Sequence, residues 1–227
     1  MEILKFNDLA KGGFAGLKER QFVTDRRVFK HARKQTFDGI GNFVYLADAN
    51  FNAKGETGMH PHREIDVISV MVDGRISHEG SLEHGQGLSA GYTQVQRAGG
   101  EGFAHNEINP DNQQNHMIQL WVLPDEAGEP AGYKVYKPQV GKLQHIYGGS
   151  KNQNKTFYSR TSIAVANVTA GQTVKHEGEV IAFLSKGKGI FNNQKINART
   201  AIKTIDGVDF IAEDNAQLIV VYVNNKD

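Results

Sequence analysis

No cysteine occurs among the 227 residues, so a disulfide framework is impossible and thiolate ligation of zinc or of an iron–sulfur cluster is excluded. Any bound metal must rest on His, Asp, Glu or carbonyl oxygen. An excess of either charge is missing too: 26 Lys and Arg stand against 25 Asp and Glu, which leaves no basic footprint for nucleic acid. The one basic concentration, residues 26–34 (RRVFKHARK), reads as a solvated face. No run approaches the ~18 apolar residues of a membrane span. The first residues, MEILKFNDLAKGG, carry an early acid and no apolar stretch of signal length, so a cytoplasmic location without a membrane partner is expected. Proline is scarce at 5 residues, and long amphipathic helical periodicity is absent. Only residues 14–22 and 125–132 have the pattern for a short helical turn.

What is present is glycine, at 25 residues, set between short apolar, β-branched runs. These runs fall at residues 43–47, 65–72, 92–96, 117–123, 162–168, 180–184, 201–205 and 217–223. Several alternate with the period of two expected of half-buried strands, and the intervening VDGR, AGGEG, KGKG and IDGV are turn chemistry. The chain therefore reads as all-β at sandwich or barrel spacing. A weak duplication relates the segments around 58–107 to TAGQTVKHEGEVIAFLSKGKG at 169–189. Between the two lies a polar stretch at 142–155, KLQHIYGGSKNQNK. The expectation is two tandem antiparallel β-barrels, residues 1–140 and 141–227, joined there.

Two short segments carry chemistry. In the first, His60 and His62 flank Pro61. On a strand, residues i and i+2 share a face, so both imidazoles project together, and a proline suits a strand edge. In the second, His105 and Glu107 repeat that spacing after a glycine-rich turn. Either pair alone is a weak signal. Together, facing each other across a barrel, they would form a three-imidazole, one-carboxylate site for a single divalent transition metal. Such a donor set suits Fe(II), Mn, Ni, Co or Cu, with Zn also possible, and it leaves a coordination position open to exchange. The other histidines have blander readings: His78 and His84 beside a hairpin turn, His31 in the basic stretch, His145 in the linker. His116 reads as structural or as a pocket residue.

The stretches HPHRE with IDVISVMVDG (60–74), HGQGLSAGYTQVQRAG (84–99), HNEIN (105–109) and QLWV (119–122) resemble the pirin family. These are bicupins of jelly-roll type, related to bacterial quercetin 2,3-dioxygenases. The first two stretches resemble the family segments HPHRGFE…EG and GDVQWMTAG, and HNE corresponds to HSE. The resemblance implies His60, His62, His105 and Glu107 as ligands, iron as the metal, and a flavonol and O2 as substrates, with Glu107 also acting as the catalytic base. It equally admits a non-enzymatic regulator that senses metal or redox state through a protein partner. Asp66 stands where the family usually has a glutamate that is not a ligand. In the second half only His176 keeps a ligand type, so that half is expected to be metal-free. Substrate-binding residues are not identified by the pattern.

Overall fold

The computed structural model describes residues 1–30, 35–82 and 85–224. His31 and His84 lie outside them. The first strands are β1 (Glu2–Lys5), β2 (Gly12–Phe14), β3 (Leu17–Thr24) and β4 (Phe43–Phe51). Then come β5 (His60–His62), β6 (Asp66–Asp73), β7 (Arg75–Gly80), β8 (Gln86–Ser89) and β9 (Thr93–Arg97). The first half ends with β10 (Phe103–Ile108), β11 (His116–Val122) and β12 (Gly132–Tyr136). The second half opens with β13 (Leu143–Gly149), β14 (Ser159–Val168), β15 (Thr173–His176), β16 (Val180–Lys186) and β17 (Lys188–Phe191). It closes with β18 (Gln194–Asn197), β19 (Thr200–Thr204), β20 (Val208–Ala212) and β21 (Ala216–Val223).

The all-β expectation holds, and one 3-10 turn at Phe6–Asp8 is the helical content of the described residues. Of residues 14–22, given above as a possible helical turn, Phe14 ends β2 and 17–22 lie in β3; of 125–132, residues 125–128 are turn and bend and Gly132 opens β12. Four sheets form. The first half has a seven-stranded sheet, in the order β12, β9, β6, β11, β4, β3, β2, and a four-stranded one, in the order β5, β10, β7, β8. The second half has a six-stranded sheet, β1, β19, β16, β21, β14, β13, and a four-stranded one, β15, β20, β17, β18. Each half is thus a pair of open sheets, where two barrels were expected. The ladder breaks where the chain crosses from one sheet to the other. Glu64, Gly99 and Gly102 take positive φ at those crossings, and the strands they join continue in separate sheets.

The weak duplication seen in sequence is strict in topology. Strands β5 to β11 and β15 to β21 occupy matching places in the two sheet orders. The polar stretch at 142–155 is not a plain linker, because β13 lies within it. Its Ile146 and Tyr147 are fully buried, and register shifts at His145/Tyr147 and Tyr147/Gly149 bend the strand. Alternation was hidden there by two bulges and two glycines.

The largest core lies between the halves. Phe22, Phe43, Leu46, Ile68, Val70, Ile118 and Leu120 of the first large sheet meet Ile163, Val165, Ile181, Phe183, Ile219 and Val221 of the second. That explains why β6 reads as a continuous apolar run: Ile68 and Val70 face the other half, while Ser69 and Met71 face inward, toward the small sheet. Inside the second half the space is filled by Val174, Leu184, Phe191, Phe210, Leu218 and Val220. Inside the first half, several of the equivalent positions are polar, and the candidate site is built from them.

Candidate metal centre

Strands β5 and β10 are antiparallel neighbours in one sheet, with His60 paired to His105 and His62 to Phe103. They do not face each other across a barrel, as the sequence reading had it. The outcome is a tighter cluster, because the i, i+2 rule puts His60, His62 and His105 on one face of adjacent strands about 5 Å apart. β5 is an edge strand, where the missing N–H of Pro61 breaks no ladder. One ring nitrogen from each of the three histidines lies within 4.8 Å of the other two.

Whether these residues fit a metal can be read from their nitrogens. His62 Nε2 is buried without a hydrogen-bond partner, an arrangement that costs stability unless a ligand fills the gap. His60 Nε2 and His105 Nε2 face each other at 3.1 Å. His60 Nδ1 lies 2.8 Å from Gly58 O, which fixes that nitrogen as the donor and leaves Nε2 outward. Burial, reinforced by the neighbouring His60, lowers the His62 pKa to about 4. Burial, with His62, His60 and His78 nearby, lowers that of His105 to about 2. Both rings are neutral at pH 7 and offer lone pairs, as metal ligation requires. The donor set fits a divalent transition metal.

Glu107 lies one step further along the same face of β10 and outside the group of three histidines. Its Oε1 accepts hydrogen bonds from Ser69 Oγ at 2.7 Å and Gln94 Nε2 at 3.0 Å. Burial raises its pKa to about 7, against the lowering effect of those two bonds. Gln94 Oε1 in turn accepts from Tyr133 Oη at 3.1 Å. Aromatic rings stand beside the imidazoles. Phe103 is 5.2 Å and Trp121 5.9 Å from the His62 ring, and Trp121 stacks on Tyr45 at 4.4 Å. The buried indole Nε1 of Trp121 has no acceptor.

Sequence reasoning missed several of these residues. His78, given as a turn histidine, is buried on β7 with Nε2 2.8 Å from Gln96 Oε1. Gln96 Nε2 is 3.1 Å from His105 Nδ1. The signal available was YTQVQ itself, where glutamines at i and i+2 place two amides on one face of an otherwise apolar strand. His116 is not a pocket residue but pairs with buried Asp48 at 3.0 Å. His145 lies on β13 and meets Tyr222 Oη at 2.8 Å. In the second half, register places Val174, His176, Phe210 and Ala212 where the first has His60, His62, His105 and Glu107. Three of those four positions carry no lone pair.

The pirin family model matches residues 22–122, the segment that contains all of these first-half ligand candidates. Over that segment the chain is similar to the pirin family. Among curated relatives, the chain is 28% identical over 174 residues to a pirin-like protein of Caulobacter vibrioides, covering 71% of this chain and 75% of that one. It is 31% identical over 99 residues to quercetin 2,3-dioxygenase of Escherichia coli strain K12, covering 43% and 42% of the two chains. Across such relatives the chain spans from 33% to 77% of their length. Among solved structures, YhhW of Escherichia coli matches with a TM-score of 0.79 at 18% identity, covering 97% and 96% of the two chains. A second structure, the bacterial pirin YhhW in complex with nickel(II), matches with a TM-score of 0.78.

Proposed function

We propose that the protein is a metal-dependent dioxygenase of the quercetin 2,3-dioxygenase type, with His60, His62, His105 and Glu107 holding one divalent metal, Fe(II) first. The observation that carries the reading is the cluster of His60, His62 and His105 on one face of β5 and β10, with the buried carboxyl of Glu107 on the same strand face as His105. A carboxyl beside the histidines is within reach of a proton on a group bound at the metal, as a general base must be. Both of its described hydrogen bonds fall on Oε1, leaving Oε2 for the metal or for a substrate proton. The substrate named by the relatives is a flavonol, whose ring opening adds O2 across the heterocycle and releases carbon monoxide.

A transition metal bound here would supply Lewis acidity toward the 3-hydroxyl and one-electron redox capacity toward O2. The chain's own residues do the rest. Glu107 takes the 3-hydroxyl proton, and Ser69 and Gln94 hold it in place. Phe103 and Trp121 stand on the His62 side of the cluster and close it with apolar rings.

The test is anaerobic reconstitution with Fe(II), and separately with Mn, Ni, Co or Cu, followed by oxygen uptake and carbon monoxide release with quercetin. Glu107→Gln should lower kcat by about 100-fold or more, the usual contribution of a positioned base. No quercetin-dependent oxygen uptake with any of these metals would replace the enzyme with a metal-sensing regulator.

A further inference from the structure

Where the two halves meet there is a cavity of about 380 Å³. The first half contributes the end of β6 and the turn into β9, the second the ends of β14 and β16 and the start of β21, and the connecting residues 137–140 close it. Junctions of this kind commonly hold small molecules, and the volume lies within their range. Its amides are already engaged. Gln217 is buried and donates from Nε2 to Met71 O of the first half at 3.2 Å and to Asn167 Oδ1 at 3.1 Å, and its Oε1 accepts from Ser185 Oγ at 2.6 Å. Asn167 Nδ2 donates to Gly91 O at 3.3 Å, and Asn167 O accepts from the N–H of Gly141 at 2.8 Å, which ties down the connecting segment. These bonds preorganise the cavity and leave its buried carboxamide groups no call for a polar ligand.

The rest of the lining is apolar or cationic. Tyr92, Val140, Val168 and Ala216 supply hydrocarbon, and Val140 is still 63% exposed, so covering it would be favourable. Lys137 and Lys186 are the charged groups, and no carboxylate lines the cavity, in a chain whose acids and bases are nearly equal in number. The lysine ion pairs of the described residues are those of Lys151 and Lys175. Lys137 Nζ lies 5.3 Å from the centre of the Tyr92 ring, which keeps its charge beside the apolar wall. We propose that this cavity binds a small amphipathic anion, an aromatic or short aliphatic carboxylate. Its hydrocarbon body packs on Val140, Val168 and Ala216, and its carboxylate is met by Lys137 and Lys186. A cation would be repelled here, and a neutral ligand would leave both ammonium groups unanswered. None of the metal-centre residues lines the cavity, so binding here is independent of the chemistry proposed for that centre.

Naphthoate and its uncharged carboxamide are the probes, titrated into the whole chain while NMR follows the methyl groups of Val140, Val168 and Ala216. Naphthoate should shift these signals saturably and bind about fivefold more tightly than the carboxamide, the advantage that one exposed ion pair can give. Added salt should narrow the difference. In the double variant Lys137→Met/Lys186→Met the two probes should bind alike, and because both lysines are exposed the fold is not at stake. Equal affinity for acid and amide in the wild type overturns the proposal, whether or not the variant can be made. So does the absence of any saturable shift, or a preference for the acid that survives in the double variant. Naphthoate shifts confined to Phe103 and Trp121 would also overturn it, since the probe would then sit at the metal centre.

Discussion

Asp66 sits on the first half's large sheet with one oxygen 2.7 Å from Tyr147 Oη of the second half and the other 3.1 Å from the backbone N–H of Ala98. Burial outweighs these bonds and raises its pKa to about 6 from 3.8. The protonated acid is therefore favoured by folding. Its stabilising contribution is complete below about pH 4 and is lost as pH rises through about 6. Denaturant titrations should show wild type losing up to about 3 kcal/mol over that window relative to Asp66→Asn, the equivalent of a two-unit shift. Parallel pH profiles for the two proteins would reject this. At the ligands, metal analysis should find about one ion per chain in wild type and none in His62→Ala or Glu107→Ala. Full occupancy in the double variant His60→Ala/His62→Ala would remove the assignment. The HPH and HNE spacings made these side chains legible, because strand geometry alone aligns i with i+2. Gln96 and His78 were not legible in the same way. They meet His105 through pairings that depend on the sheet order, and GDVQWMTAG, the segment resembled here, has methionine in the place of Gln96.

The turn from β9 to β10 delivers His105 to its partners. Gly99 takes φ +54 there, and a Cβ on it would lie 1.8 Å from the carbonyl oxygen of Glu129. Gly99→Ala should cost about 2 kcal/mol or more, combining left-handed strain with a backbone clash, and should weaken metal binding as β10 shifts. Thermal melts and zinc titration of the variant check both parts, and an unchanged melting temperature would contradict the turn's role. The sequence reading found most strands, since alternation survives wherever one face is buried. It stumbled at β13, where the bulges beside Tyr147 erase the period, and at β3, whose mixed pattern LKERQFVT suggested a helical turn. It also could not see that β5 and β10 are neighbours, because hydrogen-bond partners across a sheet order leave no mark on local periodicity. The matched order of β5 to β11 and β15 to β21 supplies what weak similarity only hinted. One scaffold occurs twice, with imidazoles in one copy and Val174 and Phe210 in the other.

Across the whole molecule the two halves share one core. Phe22 meets Phe183 edge-on at 4.8 Å, and both are fully buried. A second tie is polar: Arg199 reaches across to Asp48 and Asn50, and its guanidinium lies over the Phe6 ring. Burial pushes Asp48 up, but the bonds from His116 and Arg199 prevail and hold it below its ordinary value. Phe183→Ala should therefore cost about 3–5 kcal/mol. Unfolding should remain a single transition in which metal release and loss of strand signal coincide, although Phe183 lies in the half without the ligands. Metal release in a separate, unshifted transition would show that the first half stands alone. We place the boundary between the halves near residue 140, yet β1 crosses it, pairing Glu2–Lys5 with residues 200–203 of β19. This strand sets a constraint on biosynthesis. A ribosome makes residues 2–5 well before their partners at 200–203, on the order of ten seconds or longer earlier. Through that interval β1 must stay unpaired, so it can join the sheet only after the strands between it and β19 have been synthesised.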